Sequence, residues 1–138
     1  MISLMESNPE LELYGALEEK FSENGIKIVP VNERAGEFPL VSIPSIMSYP
    51  AYSIKGRESG RVVLTIDVWH EDVNALGTVM KMADTVRRLS LSIEETENYQ
   101  WRVLPHGTSG LHLVDEATGK KLRHYVLDIE HQYIKRGV

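Results

Sequence analysis

Apolar positions along this chain switch between helical and strand spacing, and each switch marks an element. Leu13, Tyr14, Leu17 and Phe21 fall on one stripe of a 3.6-residue period. Asn8-Pro9 ahead of them is an N-cap followed by proline at the first helical position, and Asn24-Gly25 is a helix stop. A first helix is therefore predicted between these signals. Residues 26–31 read as a short strand and 32–37 as a polar loop. Phe38 to Ile54 is extended but contains Pro39, Pro44 and Pro50. Proline cannot donate to a ladder, so this segment is expected at a sheet edge or a bulge. Lys55 to Gly60 reads as a flexible hairpin connection.

Arg61 to His70 alternates cleanly, with Val62, Leu64, Ile66, Val68 and His70 on one face and Val63, Thr65, Asp67 and Trp69 on the other. Asp72 is placed to cap a second helix over residues 73–89, whose apolar face is Val73, Leu76, Val79, Met80, Ala83 and Val86. Residues 93–95 have room for one helical turn. Tyr99 to Leu104 is a strand, and Pro105 to Gly110 turns the chain. Leu111 to Asp115 and Leu122 to Ile134 pair as a hairpin around Ala117-Thr118-Gly119. Helix, three strands, helix, three strands, with hairpin-like connections, predicts an α+β fold. Residues 1–138 are expected to form a single domain, a mostly antiparallel β-sheet with two helices packed on one face.

Composition narrows the class. A chain of 138 residues buries about two-thirds of its unfolded surface, enough for one core. Its 42% hydrophobic and 25% charged residues are globular averages. No apolar run approaches the roughly 18 residues of a membrane span, and the first ten residues lack the basic and apolar regions of a signal peptide. The absence of cysteine excludes disulfides, thiolate metal sites and a cysteine nucleophile. The net charge of -5 is concentrated near the start, where Glu6, Glu10, Glu12, Glu18, Glu19 and Glu23 face a single base, Lys20. Nucleic acid is not expected as the primary ligand, because the nearest basic cluster is only Lys120, Lys121, Arg123 and His124 at a turn.

Catalytic patterns are incomplete. His70-Glu71-Asp72-Val73-Asn74 starts like a zinc-binding HExxH but has Asn74 where the second histidine belongs. Ile66-Asp67-Val68-Trp69-His70 and Leu127-Asp128-Ile129-Glu130-His131 match each other. Within each, Asp and His lie on opposite strand faces, so neither pair closes on one ion. His70 and His131 meet only if their strands are neighbours at the right register. His106 lies in a glycine-rich turn with no partner acid in view. No catalytic residue, metal site or cofactor is expected, and the protein is read as a non-enzyme.

Phe38-Pro39-Leu40-Val41-Ser42-Ile43, the charged hairpin after it, the strand RVVLTIDVW and the helix ALGTVMKMADTVRRL follow one another in a familiar order. A final hairpin, GLHLVDEATGKKLRHYVLDIEHQY, completes it. Over roughly residues 10–134 this order resembles the tail-completion proteins of bacteriophages and prophages, also called tail-terminator, head–tail joining or minor capsid proteins. The resemblance implies a structural protein without catalytic residues. It implies a homo-oligomeric ring, commonly of six subunits, at the head-proximal end of the tail. Its partners there are other copies of itself, the tail tube protein and the head connector. Its location is the virion, after assembly in the cytoplasm of the bacterial host.

The residues themselves are compatible with that reading. The proline-interrupted edge with Tyr49 and Tyr52, and an exposed hairpin, are elements that a neighbouring subunit extends by strand addition. The candidate interface residues are Lys55, Arg57, Glu58 and Arg61 at the first hairpin and Trp69 on the less apolar strand face, where a place in the core under helix one is the competing expectation. A second reading stays open at this point: a small-molecule-binding or regulatory α+β module, which requires an apolar pocket with a few converging polar groups.

Overall fold

The computed structural model describes residues 8–30, 39–54, 57–117 and 120–137. Helix α1 (Pro9–Glu23) begins where the Asn8 carboxamide oxygen accepts the Leu11 N–H at 3.1 Å. It ends at Asn24, beyond which Gly25 takes the left-handed φ of 73° that a side chain would resist. Leu13, Leu17 and Phe21 are fully buried, as their spacing predicts. Glu12, off that stripe, accepts hydrogen bonds from the Thr96 hydroxyl and from both the backbone and side-chain amides of Asn98, at 2.7–2.9 Å. Three donors on one carboxylate fasten α1 to the segment that leads into β3.

The remaining elements are β1 (Leu40–Ile54), β2 (Arg57–His70), α2 (Leu76–Leu91), β3 (Tyr99–Arg102), β4 (Thr108–Ala117) and β5 (Lys120–Lys135). All strand pairings are antiparallel. The sheet runs β1-β2-β5, and β3 and β4 lie end to end along the far side of β5. The predicted α+β architecture, two helices on one face of an antiparallel sheet, is the one observed. That face carries Val62, Leu64, Ile66 and Val68 of β2 and Leu127, Ile129 and Tyr133 of β5. They form one cluster with Leu13, Leu17 and Phe21 of α1 and Val79, Ala83 and Val86 of α2. As its prolines require, β1 is an edge strand, with a register shift between Ser42 and Ser45 around Pro44.

Several elements differ from expectation. Of the strand expected over residues 26–31, the described part, 26–30, reduces to one parallel bridge, Ile28 to Val41, where the Val29 N–H donates to the Val41 carbonyl at 2.8 Å. The sheet therefore has five strands. The second helix starts at Leu76, because the Asp72 side chain is used by its own backbone. Asp72 Oδ1 accepts the Asn74 N–H and its carbonyl accepts the Ala75 N–H, closing a turn before the helix. The helix cap is Ala75, without a side-chain bond. The buried stripe is Val79, Ala83, Val86 and Ser90; Leu76 and Met80 lie to one side of it and are exposed. Residues 93–95 form no helical turn. Ile93 is buried, Glu95 bridges to Gln100, and the Glu94 carbonyl accepts the Trp101 N–H. Thr108 to Gly110 belong to β4, so the turn before it is shorter than predicted. The first hairpin connection shrinks too, because residues 57–60 belong to β2.

His131 lies in the core beneath the C-terminal turn of α2. Its Nε2–H donates to the Ser90 carbonyl at 3.0 Å, and Trp101 meets its ring at an angle of 82°. Burial holds its pKa below the ordinary 6.5, and the bond to Ser90 offsets this in part. The unfolded chain therefore takes up a proton near pH 6.5 that the native protein refuses until lower pH. On that linkage stability is undiminished above the unfolded value and declines as pH falls below it. Urea melts of the wild type and of His131→Gln, whose amide can keep the bond to Ser90, are expected to show a shallower decline in the variant below pH 6.5. Equal slopes would remove His131 as the cause.

Candidate subunit interface

Opposite the helices lies a second sheet face built from the odd-numbered residues of β2 and the even-numbered residues of β5. Its centre is a polar ladder across these two strands. Arg61 pairs with Glu130, the Thr65 hydroxyl donates to Asp128 at 2.7 Å, and His124 Nε2 lies 3.1 Å from Asp67 Oδ1. At the upper end Trp69 stacks on His124, the rings 3.6 Å apart and 11° from parallel. Cross-strand pairs of this kind stabilise a sheet. They also satisfy most of the polar groups in the middle of the face.

The expected interface residues separate on this framework. Lys55 lies outside the described residues. Arg57 and Glu58 are exposed at the start of β2; the Arg57 guanidinium sits against Gly137, and Glu58 accepts the Tyr99 hydroxyl at 3.1 Å. Arg61 is exposed on the open face, with its guanidinium 4.3 Å from the centre of the Tyr49 ring. Trp69 shares that face at the other end of β2, half-buried and turned away from helix one. Arg61 and Trp69 are thus eight residues apart along one strand, roughly 27 Å. Ser59 to Arg61 pair with both β1 and β5, so shortening the hairpin through Arg61 would cut into the sheet itself.

The open face is apolar at its two edges. Met47 and Tyr49 of β1 are 51% and 39% exposed, and Leu111 and Leu113 of β4 are 58% and 39% exposed. Sequence reasoning passed over Met47, Leu111 and Leu113. Leu111 and Leu113 sit in the run Leu111-His112-Leu113-Val114, which reads as a strand covered on both sides. They are bare because they project from the face that the helices leave uncovered, on a strand that has no further strand beside it among the described residues.

Two depressions complete the surface. An open groove of about 1290 Å³ at the β3 end is walled by Tyr49, Gly60, Arg61, Trp101, Arg102 and Tyr133. A cleft of about 340 Å³ between α1 and residues 92–95 is edged by Glu19, Glu23, Glu94 and Glu95 around Lys20. Two acids of helix one, Glu19 and Glu23, thus share this cleft with Glu94 and Glu95. His70 and His131 sit on neighbouring strands but far apart, opposite Arg123 and Val62 respectively. Among the described residues no three acidic or imidazole side chains converge as metal ligands, and no helix is long and apolar enough to cross a membrane.

An antiparallel sheet with helices on one face, whose outer strands β1 and β4 pair with no further strand among the described residues, defines the class of fold. No protein-family model and no curated protein matches the chain. Among solved structures it is similar to a chain in the virion of a native gene transfer agent particle. The two are 17% identical with a TM-score of 0.54, over 92% of this chain and 94% of that one. The shared property is the fold, along nearly the whole of both chains.

Proposed function

We propose that this protein is a structural component of a tailed phage-like particle, a ring at the head-proximal end of the tail that terminates the tail tube and joins it to the head. The observation that carries the reading is the shared fold with a gene transfer agent virion chain over nearly the full length of both. The order of elements from Phe38 to the final hairpin supports it independently. In this role the partners are further copies of the chain, possessing the same two sheet edges, together with the tail tube protein and the head connector. The site of action is the virion, after assembly in the host cytoplasm. The acidic side of α1, with Glu19 and Glu23, forms a rim that guides docking onto a basic partner surface.

In-frame deletion of the gene from a particle-producing strain is the test. Electron micrographs are expected to show unjoined heads and tails or tails of irregular length, with a loss of infectious or transferring particles restored by the gene in trans. Normal tailed particles at wild-type titre would overturn the reading.

A further inference from the structure

The two outer edges of the sheet are built differently but bear matching side chains. On β1 the edge is interrupted by Pro44 and Pro50, leaving Ser45 to Tyr49 between them, and its upper part is occupied where Val29 bonds to Val41. On β4 the ten residues Thr108–Ala117 include no proline or lysine, and their outer edge pairs with no strand among the described residues. A long edge without proline or lysine, bearing exposed Leu111 and Leu113, invites another strand. The registers place Met47 opposite Val63, Tyr49 opposite Arg61, Leu111 opposite Val126 and Leu113 opposite His124. All four apolar side chains therefore project from the open face, one i, i+2 pair at each edge, with the polar ladder between them.

We infer that β4 of one copy adds, antiparallel, to the Ser45–Tyr49 stretch of β1 in the next copy. Met47 then packs beside Leu113 and Tyr49 beside Leu111. The partner is a second copy because the two edges are complementary on one chain. Across β1-β2-β5-β4 the strand direction alternates, so a following β1 runs antiparallel to β4 and continues the alternation. The contact is head-to-tail, the kind that generates rings. Met47 and Tyr49 stand level with Glu130 and Gln132, whereas Leu111 and Leu113 stand level with Val126 and His124. Joining them shifts successive copies by about six residues, roughly 20 Å, over four strands that span about 19 Å. That tilts the strands by about 45° to the ring axis, close to the tilt that closed sheets adopt. The inference rests on the reading of the chain as a self-assembling subunit and names the surface through which it assembles.

Two variants test it by native mass spectrometry, Leu111→Glu/Leu113→Glu on β4 and Met47→Glu on β1. Both change exposed side chains, and an unchanged circular dichroism melt certifies the fold; Leu111→Thr/Leu113→Thr serves if the charges disturb it. The wild type is expected to assemble with rising concentration, and each variant alone to remain monomeric at concentrations at least tenfold higher. An equimolar mixture of the two variants is expected to stop at a one-to-one dimer, since each supplies the intact edge that the other lacks. If either variant assembles like the wild type, the edge pairing is overturned while self-assembly stands. If Met47→Glu still dimerises and the β4 variant does not, the contact is β4 with β4 and the inference falls. A wild type that stays monomeric throughout also overturns it, whereas the gene deletion judges the virion role separately.

Discussion

Replacing Tyr99 with alanine is expected to lower the unfolding free energy by about 3–5 kcal/mol, the range for removing a buried aromatic ring. Tyr99 is fully buried on a strand of only four residues. Its ring meets Tyr133 edge-on at 5.3 Å and Trp101 at 6.0 Å, and its hydroxyl donates to Glu58 at 3.1 Å. With four residues paired to β5, β3 has little ladder of its own, and this cluster holds it in place. Tyr99→Phe keeps the ring and loses the bond to Glu58, so its cost is expected near 1 kcal/mol. Equilibrium urea unfolding of the two variants separates packing from hydrogen bonding. A loss below about 1 kcal/mol for alanine would mean that β3 is held by something else.

Gly60→Ala is the second large effect, expected to destabilise by about 1–3 kcal/mol through overpacking. A Cβ there would stand 2.6 Å from the Tyr49 carbonyl oxygen, 2.9 Å from Pro50 Cα and 2.7 Å from the Tyr133 hydroxyl. The first two are backbone atoms of β1, so relief requires the edge strand to move away from β2. Because Tyr49 belongs to the proposed contact between copies, the same change is expected to weaken assembly. Gly15→Ala is the control of opposite sign. It lies inside α1 with nothing within 4 Å of a new Cβ, and alanine there is expected to stabilise by about 0.8–1 kcal/mol. Thermal melts that moved the same way for both variants would contradict the close approach at Gly60.

Much of the architecture is legible locally because local geometry enforces it. The Asn8-Pro9 start, the Asn24-Gly25 stop and the stripe Leu13, Leu17, Phe21 specify α1 without reference to the rest of the chain. Alternation in β2 and β5 identifies their buried faces, and Pro44 with Pro50 marks β1 as an edge. Local signals mislead where one side chain has two local uses of similar worth. Asp72 reads as a helix cap, yet it closes a turn. The neighbouring Val73 carbonyl accepts two bonds from Arg123, fifty residues further on. Ile26 to Val31 reads as a strand, yet its described part, residues 26–30, meets the sheet through the single bridge Ile28 to Val41.

The candidate interface follows the same division. Arg61 could be placed on an exposed strand position by alternation alone, whereas the bareness of Leu111 and Leu113 depends on which sheet face the helices cover and on β4 pairing with no further strand among the described residues. The sequence by itself determined the class, α+β with one face of each strand buried, since a period of two or 3.6 residues suffices to choose between strand and helix. Tertiary structure alone decided which strands adjoin, that His70 and His131 stay apart, and that two apolar pairs end up on the same face at opposite edges. Strand order and register are settled by pairing between residues tens of positions apart, and nothing in the local period of either partner encodes them.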